Sequence, residues 1–192
     1  MSEPIAGRGG TPPRPPRAVA ALAVAVRWWA VLGGLVATAL AVMSALSAVS
    51  NLVLHRPFPA DYELVKHLTA VIIFMFLPYC QLSGANVTVD IFTEGMSGRA
   101  KAAMAFVSSL LAVAFAALLL RQMWLGWASY MQFVETTPVL RLPLWTAFPP
   151  ILVSLALLLA AAVVTTVDGW RMARGRPGWA LEPRGAAEEP VA

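Results

Sequence analysis

Oily and polar stretches alternate so as to divide the chain into four apolar runs with short polar breaks. From Trp28 to Leu54 there is no charged residue. As a helix this run is about 40 Å long, more than a hydrocarbon core of about 30 Å requires. The second run, Tyr62 to Ser83, carries Glu63, Lys66 and His67 in its first two turns and Pro78 near its far end. Its charge-free part, Leu68 to Cys80, is too short to span alone, so the crossing has to include the polar turns. There Glu63 pairs with Lys66 at i,i+3 and with His67 at i,i+4 on one face, near a helix N-terminus that favours a carboxylate. Ala102 to Leu120 is a third charge-free run, followed by Arg121 and then by Trp124, Trp127 and Tyr130, the rings of an aromatic belt. The fourth runs from Leu142 to Val167 and ends at Asp168, Trp170 and Arg171. Pro143, Pro149 and Pro150 leave its first helical residue open, because proline suits a first turn and kinks an interior.

This pattern predicts an all-α membrane protein with four transmembrane helices, over residues 28–54, 62–83, 102–130 and 144–167, within a membrane domain at 18–170. Residues 1–17 are rich in Gly, Pro and Arg and predict a disordered basic tail, and 171–192 predict a second tail. A signal peptide is the competing reading of the N-terminal region, with small residues "SALSA" at 44–48, but the apolar run is too long for one. In the connection 81–101, Val87, Val89 and Ile91 alternate like a strand, whereas Val87 with Ile91 and Phe92 with Met96 are helical i,i+4 pairs. An open strand pair does not suit lipid, so a short interfacial amphipathic helix is expected, with Asp90 and Glu94 turned to water or a partner and Gly95 ending it. On the first helix Ala30, Gly34, Ala37, Ala41, Ser44 and Ala48 form a stripe of small residues, a candidate packing face in a chain whose many alanines also produce such stripes by chance.

Composition agrees: 59% of the 192 residues are hydrophobic and 12% charged, against roughly 25% charged in soluble domains. The net charge of +4 does not indicate nucleic acid, since the basic residues are neither clustered on a polar domain nor interleaved with exposed aromatics. They follow topology instead. Arg14, Arg17 and Arg27 precede the first helix, Arg99 and Lys101 lie between the second and third, and Arg171, Arg174 and Arg176 follow the fourth. By the positive-inside rule these segments, and both termini, are cytoplasmic. Cys80 stands alone, so no disulfide or cysteine-rich metal site arises within the chain.

No phosphate loop, nucleophile elbow or HExxH motif is present, and the expectation is a non-enzyme without cofactor. His55 and His67 keep open a haem- or quinone-associated anchor of an electron-transfer complex. Glu63, Lys66 and Arg121 are the intramembrane charges, and all three are expected near the external boundary, where long side chains reach water. A small exporter would depend on Glu63 as its substrate-binding acid. The external connection "ETTPVLRLPLW", Glu135 to Trp145, reads as a stiff turn with an interfacial anchor, either a plain surface turn or a contact for another protein.

Over residues 25–170 the chain resembles the small integral membrane subunit, DctQ type, of tripartite ATP-independent periplasmic (TRAP) transporters. The family often has a glutamate early in the second helix and then a Gly-x-x-x-x-Val-Asp-like stretch, matched here by Glu63 and by "GANVTVD", Gly84 to Asp90. Its external turn resembles E-x-[ST]-P-x-L-x-[IL]-P-x-W, matched by Glu135, Thr137, Pro138, Leu140, Pro143 and Trp145. The chain departs at Arg141, where the family often has glycine, and at Ala85, where it often has a basic residue. The resemblance implies a bacterial inner-membrane scaffold beside a large permease subunit, which moves an organic acid with sodium after a periplasmic solute-binding protein captures it. It implies partner contacts at Glu63, Asp90, Glu135, Pro138, Pro143 and Trp145, with helix packing at Gly34, Ala37, Ala41 and Ser44.

Overall fold

The computed structural model describes residues 15–56, 58–83, 98–132, 135–174 and 179. Four helices make up the fold: α1, Arg17–Leu54; α2, Asp61–Leu82; α3, Gly98–Gln132; and α4, Phe148–Ala173, which follows a single 3-10 turn at Leu144–Ala147. All four are long and apolar enough to cross a membrane. The protein is an all-α membrane protein. The connection expected to hold an amphipathic element, with Asp90, Glu94 and Gly95, lies outside the described residues.

The helix ends follow local chemistry. α1 starts at Arg17, inside the stretch read as a tail, because Ala18–Val26 is Ala-, Val- and Leu-rich and one arginine, a good helix former, does not interrupt it. At its other end His55 adopts a left-handed backbone (φ 50°), and its N–H bonds the Asn51 carbonyl at 3.1 Å. α2 carries Asp61 and Glu63 in its first turn, where free N–H groups favour carboxylates. The prolines that left the start of the fourth helix open are accommodated in sequence: Pro143 is extended and caps the 3-10 turn, while Pro149 and Pro150 occupy the first turn of α4, where no N–H is required. Buried Pro78 sits well inside α2, leaving the Phe74 carbonyl without its helical donor.

The helices pack as an open row in the order α1, α2, α4, α3, with α1 touching α4 only lightly. α2 and α4 start at the same end, here termed the hairpin end, and run parallel as the central pair; α1 and α3 run the other way at the edges. The core is a cluster of Val71 and Met75 on α2 with Ile151 and Leu155 on α4, against which Trp29, Leu119, Leu120 and Met123 pack. A row cannot enclose itself. Only 11% to 28% of the most apolar stretch of each span is buried within the chain, so most span surface faces lipid or another protein.

Hydrogen bonds tie the row across its width. Trp29 Nε1 donates to Ser154 Oγ (2.9 Å), which donates to the Pro150 carbonyl (2.8 Å), and Gln81 Nε2 donates to Thr165 Oγ1 (3.1 Å). α1 comes close to α2 at Gly33: a Cβ there would stand 3.0 Å from the Met75 Cβ. Gly34, one residue along, has only Phe76 Cζ at 4.0 Å. Of the small-residue stripe, Ala30 is buried, Gly34, Ala37 and Ser44 are half-buried, and Ala41 and Ala48 are exposed. The buried line instead passes through Val26, Ala30, Gly33 and Ser47.

Candidate functional site

The stretch from Glu135 to Trp145 folds as a small hairpin at the mouth of the α2–α4 pair. Thr136 and Pro143 face each other in an antiparallel bridge. The Thr137 N–H bonds the Leu142 carbonyl (2.9 Å), and the Leu144 N–H bonds that of Glu135 (2.9 Å). Four residues, Pro138 to Arg141, close the loop, with the Arg141 N–H on the Thr137 carbonyl (3.1 Å). Proline fixes φ at the first loop position, and the last, Arg141, takes a left-handed backbone with φ 52°. Thr137 Oγ1 accepts from the Leu142 N–H (3.0 Å), so the turn is locked from inside.

Glu63 holds this hairpin. Its Oε1 accepts from the Val139 N–H at 2.8 Å and its Oε2 from the Leu140 N–H at 3.0 Å, two adjacent loop donors that the hairpin itself does not use. A carboxylate has two acceptor oxygens in a fixed fork, which suits two successive N–H groups pointing the same way. One turn further along α2, His67 Nε2 lies 3.1 Å from Thr146 Oγ1, and that hydroxyl donates to the Pro143 carbonyl (2.8 Å). With the hydroxyl proton directed to Pro143, Nε2 is the donor. The i,i+4 pair Glu63 and His67 therefore grips the hairpin and the 3-10 turn in succession.

The partner-contact candidates are thus largely gathered in one place. Glu63 is spent on the hairpin backbone, Glu135 and Pro138 are exposed, and Pro143 and Trp145 are half-buried at the hairpin's return. Val139 and Leu140 project from the tip, 55% and 37% exposed. Asp90 lies outside the described residues. His55 serves as the cap of α1 and His67 as the donor to Thr146; the electron-transfer anchor gains no support from either. Lys66 is exposed on α2. α3 continues for eleven residues beyond Arg121, and its neighbours Leu120 and Met123 pack on the core cluster.

Three hydrogen bonds between α1 and the segment that follows it are not foreseen from the sequence. Ser44 Oγ donates to Asp61 Oδ1 (3.1 Å), and Ser47 Oγ accepts from the Phe58 N–H (3.2 Å). With Ser50 Oγ on the Arg56 carbonyl (2.8 Å), they bind the return loop along the last turns of α1. Serines at 44, 47 and 50, each three apart, were the available sign.

The model of one protein family, "Tripartite ATP-independent periplasmic transporters, DctQ component", matches residues 40–172. That covers more than half of the chain and includes the hairpin and its glutamate. The chain belongs to the DctQ family. Comparison with curated proteins and with solved structures gives no significant match. A DctQ component is a small permease subunit of a TRAP transporter, and in this DctQ chain the Glu135–Trp145 pattern becomes a hairpin pinned by an α2 carboxylate.

Proposed function

We propose that this DctQ subunit is the non-catalytic scaffold of a sodium-coupled, binding-protein-dependent TRAP transporter for organic acids, set in the bacterial inner membrane with both termini cytoplasmic. The observation that carries the reading is the open row: a four-helix layer that leaves most of its span surface uncovered is suited to brace another membrane subunit. The described grooves are shallow and lined mostly by apolar side chains, with Lys66 and Arg121 the charged residues at their edges, a surface for packing against helices or lipid. Glu63 and His67 make the external hairpin a rigid part of this layer, and the exposed Pro138, Val139 and Leu140 at its tip offer a contact to the large permease subunit or the docked binding protein. Asp90 is assigned to the cytoplasmic side of the same contact.

The test is a mild-detergent purification of the tagged chain from its native membranes. A large permease subunit is expected in stoichiometric amount, and deletion of the gene should abolish sodium-dependent uptake of the cognate acid. Transport by this chain alone in liposomes would overturn the scaffold role. Replacing Pro138, Pro143 and Trp145 together should weaken the complex; unchanged assembly would remove the hairpin from the interface.

A further inference from the structure

The row carries an arginine where lipid offers it nothing. α2 fixes the depth scale, because its 22 residues span about 33 Å and so barely cross a core of about 30 Å. The middle of α2, at Val71, belongs to the core cluster on which Leu119, Leu120 and Met123 pack, so Arg121 stands level with the centre of the membrane. It is exposed, and it borders an open groove of about 690 Å³ between α3 and α4 with Trp124, Leu125, Leu152 and Val153. Eleven residues of helix, about 16 Å, separate it from the hairpin end of α3, beyond the reach of an arginine side chain toward the headgroups. Arg27 of α1, by contrast, lies six residues from Gly33, which faces Met75, or about 9 Å toward the opposite end, within snorkelling distance of it.

No charge among the described residues answers Arg121. Among the described residues no carboxylate or other polar group pairs with Arg121. The acids among the described residues, Asp61, Glu63, Glu135 and Asp168, lie toward the span ends. A second copy of the chain brings the same described acids, none of them at this depth. A guanidinium at the membrane centre is costly unless it is paired.

We propose that the α3–α4 groove is the face that docks on the large permease subunit, and that Arg121 pairs there with a membrane-embedded aspartate or glutamate of that subunit. This rests on the scaffold reading, and the test separates the two. A photo-reactive phenylalanine analogue replaces Leu125, and the tagged chain is purified from native membranes. Wild type should bring the permease down, and the Leu125 adduct should map to a permease helix bearing an acid. R121E and R121M should lower the recovered permease by about tenfold or more, with R121K less affected, because removing one member leaves a buried charge alone. R121M in the isolated chain should melt no lower than wild type, which distinguishes lost pairing from misfolding. Permease recovered equally by wild type and R121E, with Leu125 adducts on lipid or on a second copy only, would overturn the docking face while leaving the scaffold role intact. No permease with wild type would sink both.

Discussion

Two adjacent glycines on α1 should respond oppositely to the same methyl group. In G33A the new Cβ meets the Met75 Cβ at 3.0 Å, whereas touching carbons sit about 3.5–4.0 Å apart. The obstructing atom is the first carbon of the side chain, fixed to the α2 backbone, so no rotamer change removes it. α1 and α2 must separate by about 0.5–1 Å at this point. Overpacking of this kind costs about 1–3 kcal/mol, while alanine returns about 1 kcal/mol of helix propensity. The net for G33A is a loss of about 0–2 kcal/mol. In G34A the nearest atom is Phe76 Cζ at 4.0 Å, an ordinary contact on a mobile ring, so the propensity gain of about 1 kcal/mol stands. The two variants should differ by about 1–3 kcal/mol, which at about 2–4 °C per kcal/mol for a chain of this size is a gap of about 2–12 °C. Thermal unfolding of the purified subunit in detergent, followed by size-exclusion recovery, reads the difference directly. G33A melting at or above G34A would show that α1 does not meet α2 at Gly33, and the row order would need revision.

Replacing Glu63 with glutamine or alanine should free the hairpin, and hydrogen exchange should find the Val139 and Leu140 amides faster in E63A than in wild type, with E63Q between them; unchanged exchange would refute the clamp. R141G should stabilise the hairpin by about 1 kcal/mol by relieving the left-handed backbone, and R141V should destabilise it, as read by thermal unfolding. W29F and S154A should each lose a cross-row hydrogen bond, with a double-mutant-cycle coupling of about 0.6 kcal/mol, the usual size in membranes.

The four spans were legible because charge-free runs of this length have few other uses. The start of α1 was not, since Arg17 and Arg27 looked like flanks, although alanine, valine and leucine between them continue the helix. The hairpin could be named as stiff from Pro138 and Pro143, yet its fold depended on Glu63, 76 residues upstream of Val139, and no local pattern reports such a pairing. Helix-face arguments placed the α1 contact one residue away from Gly33, because alanines surround it and the deciding atom, the Met75 Cβ, belongs to another helix. Arg121 reads as a boundary charge because the belt residues follow it at once; that its neighbours Leu120 and Met123 pack on the cluster of Val71, Met75, Ile151 and Leu155 is visible only in the fold.

The row order has a consequence for synthesis. α1 and α2 are made in succession and pack as neighbours, but α3 comes next and its main partner is α4, which also fills the place beside α2. Until residues 148–173 have entered the bilayer, α3 has no substantial neighbour within its own chain. The fourth helix is therefore the keystone of biogenesis: a nascent chain stopped at Gln132 holds a finished helix pair and a detached third span, and only the last segment joins them into one layer.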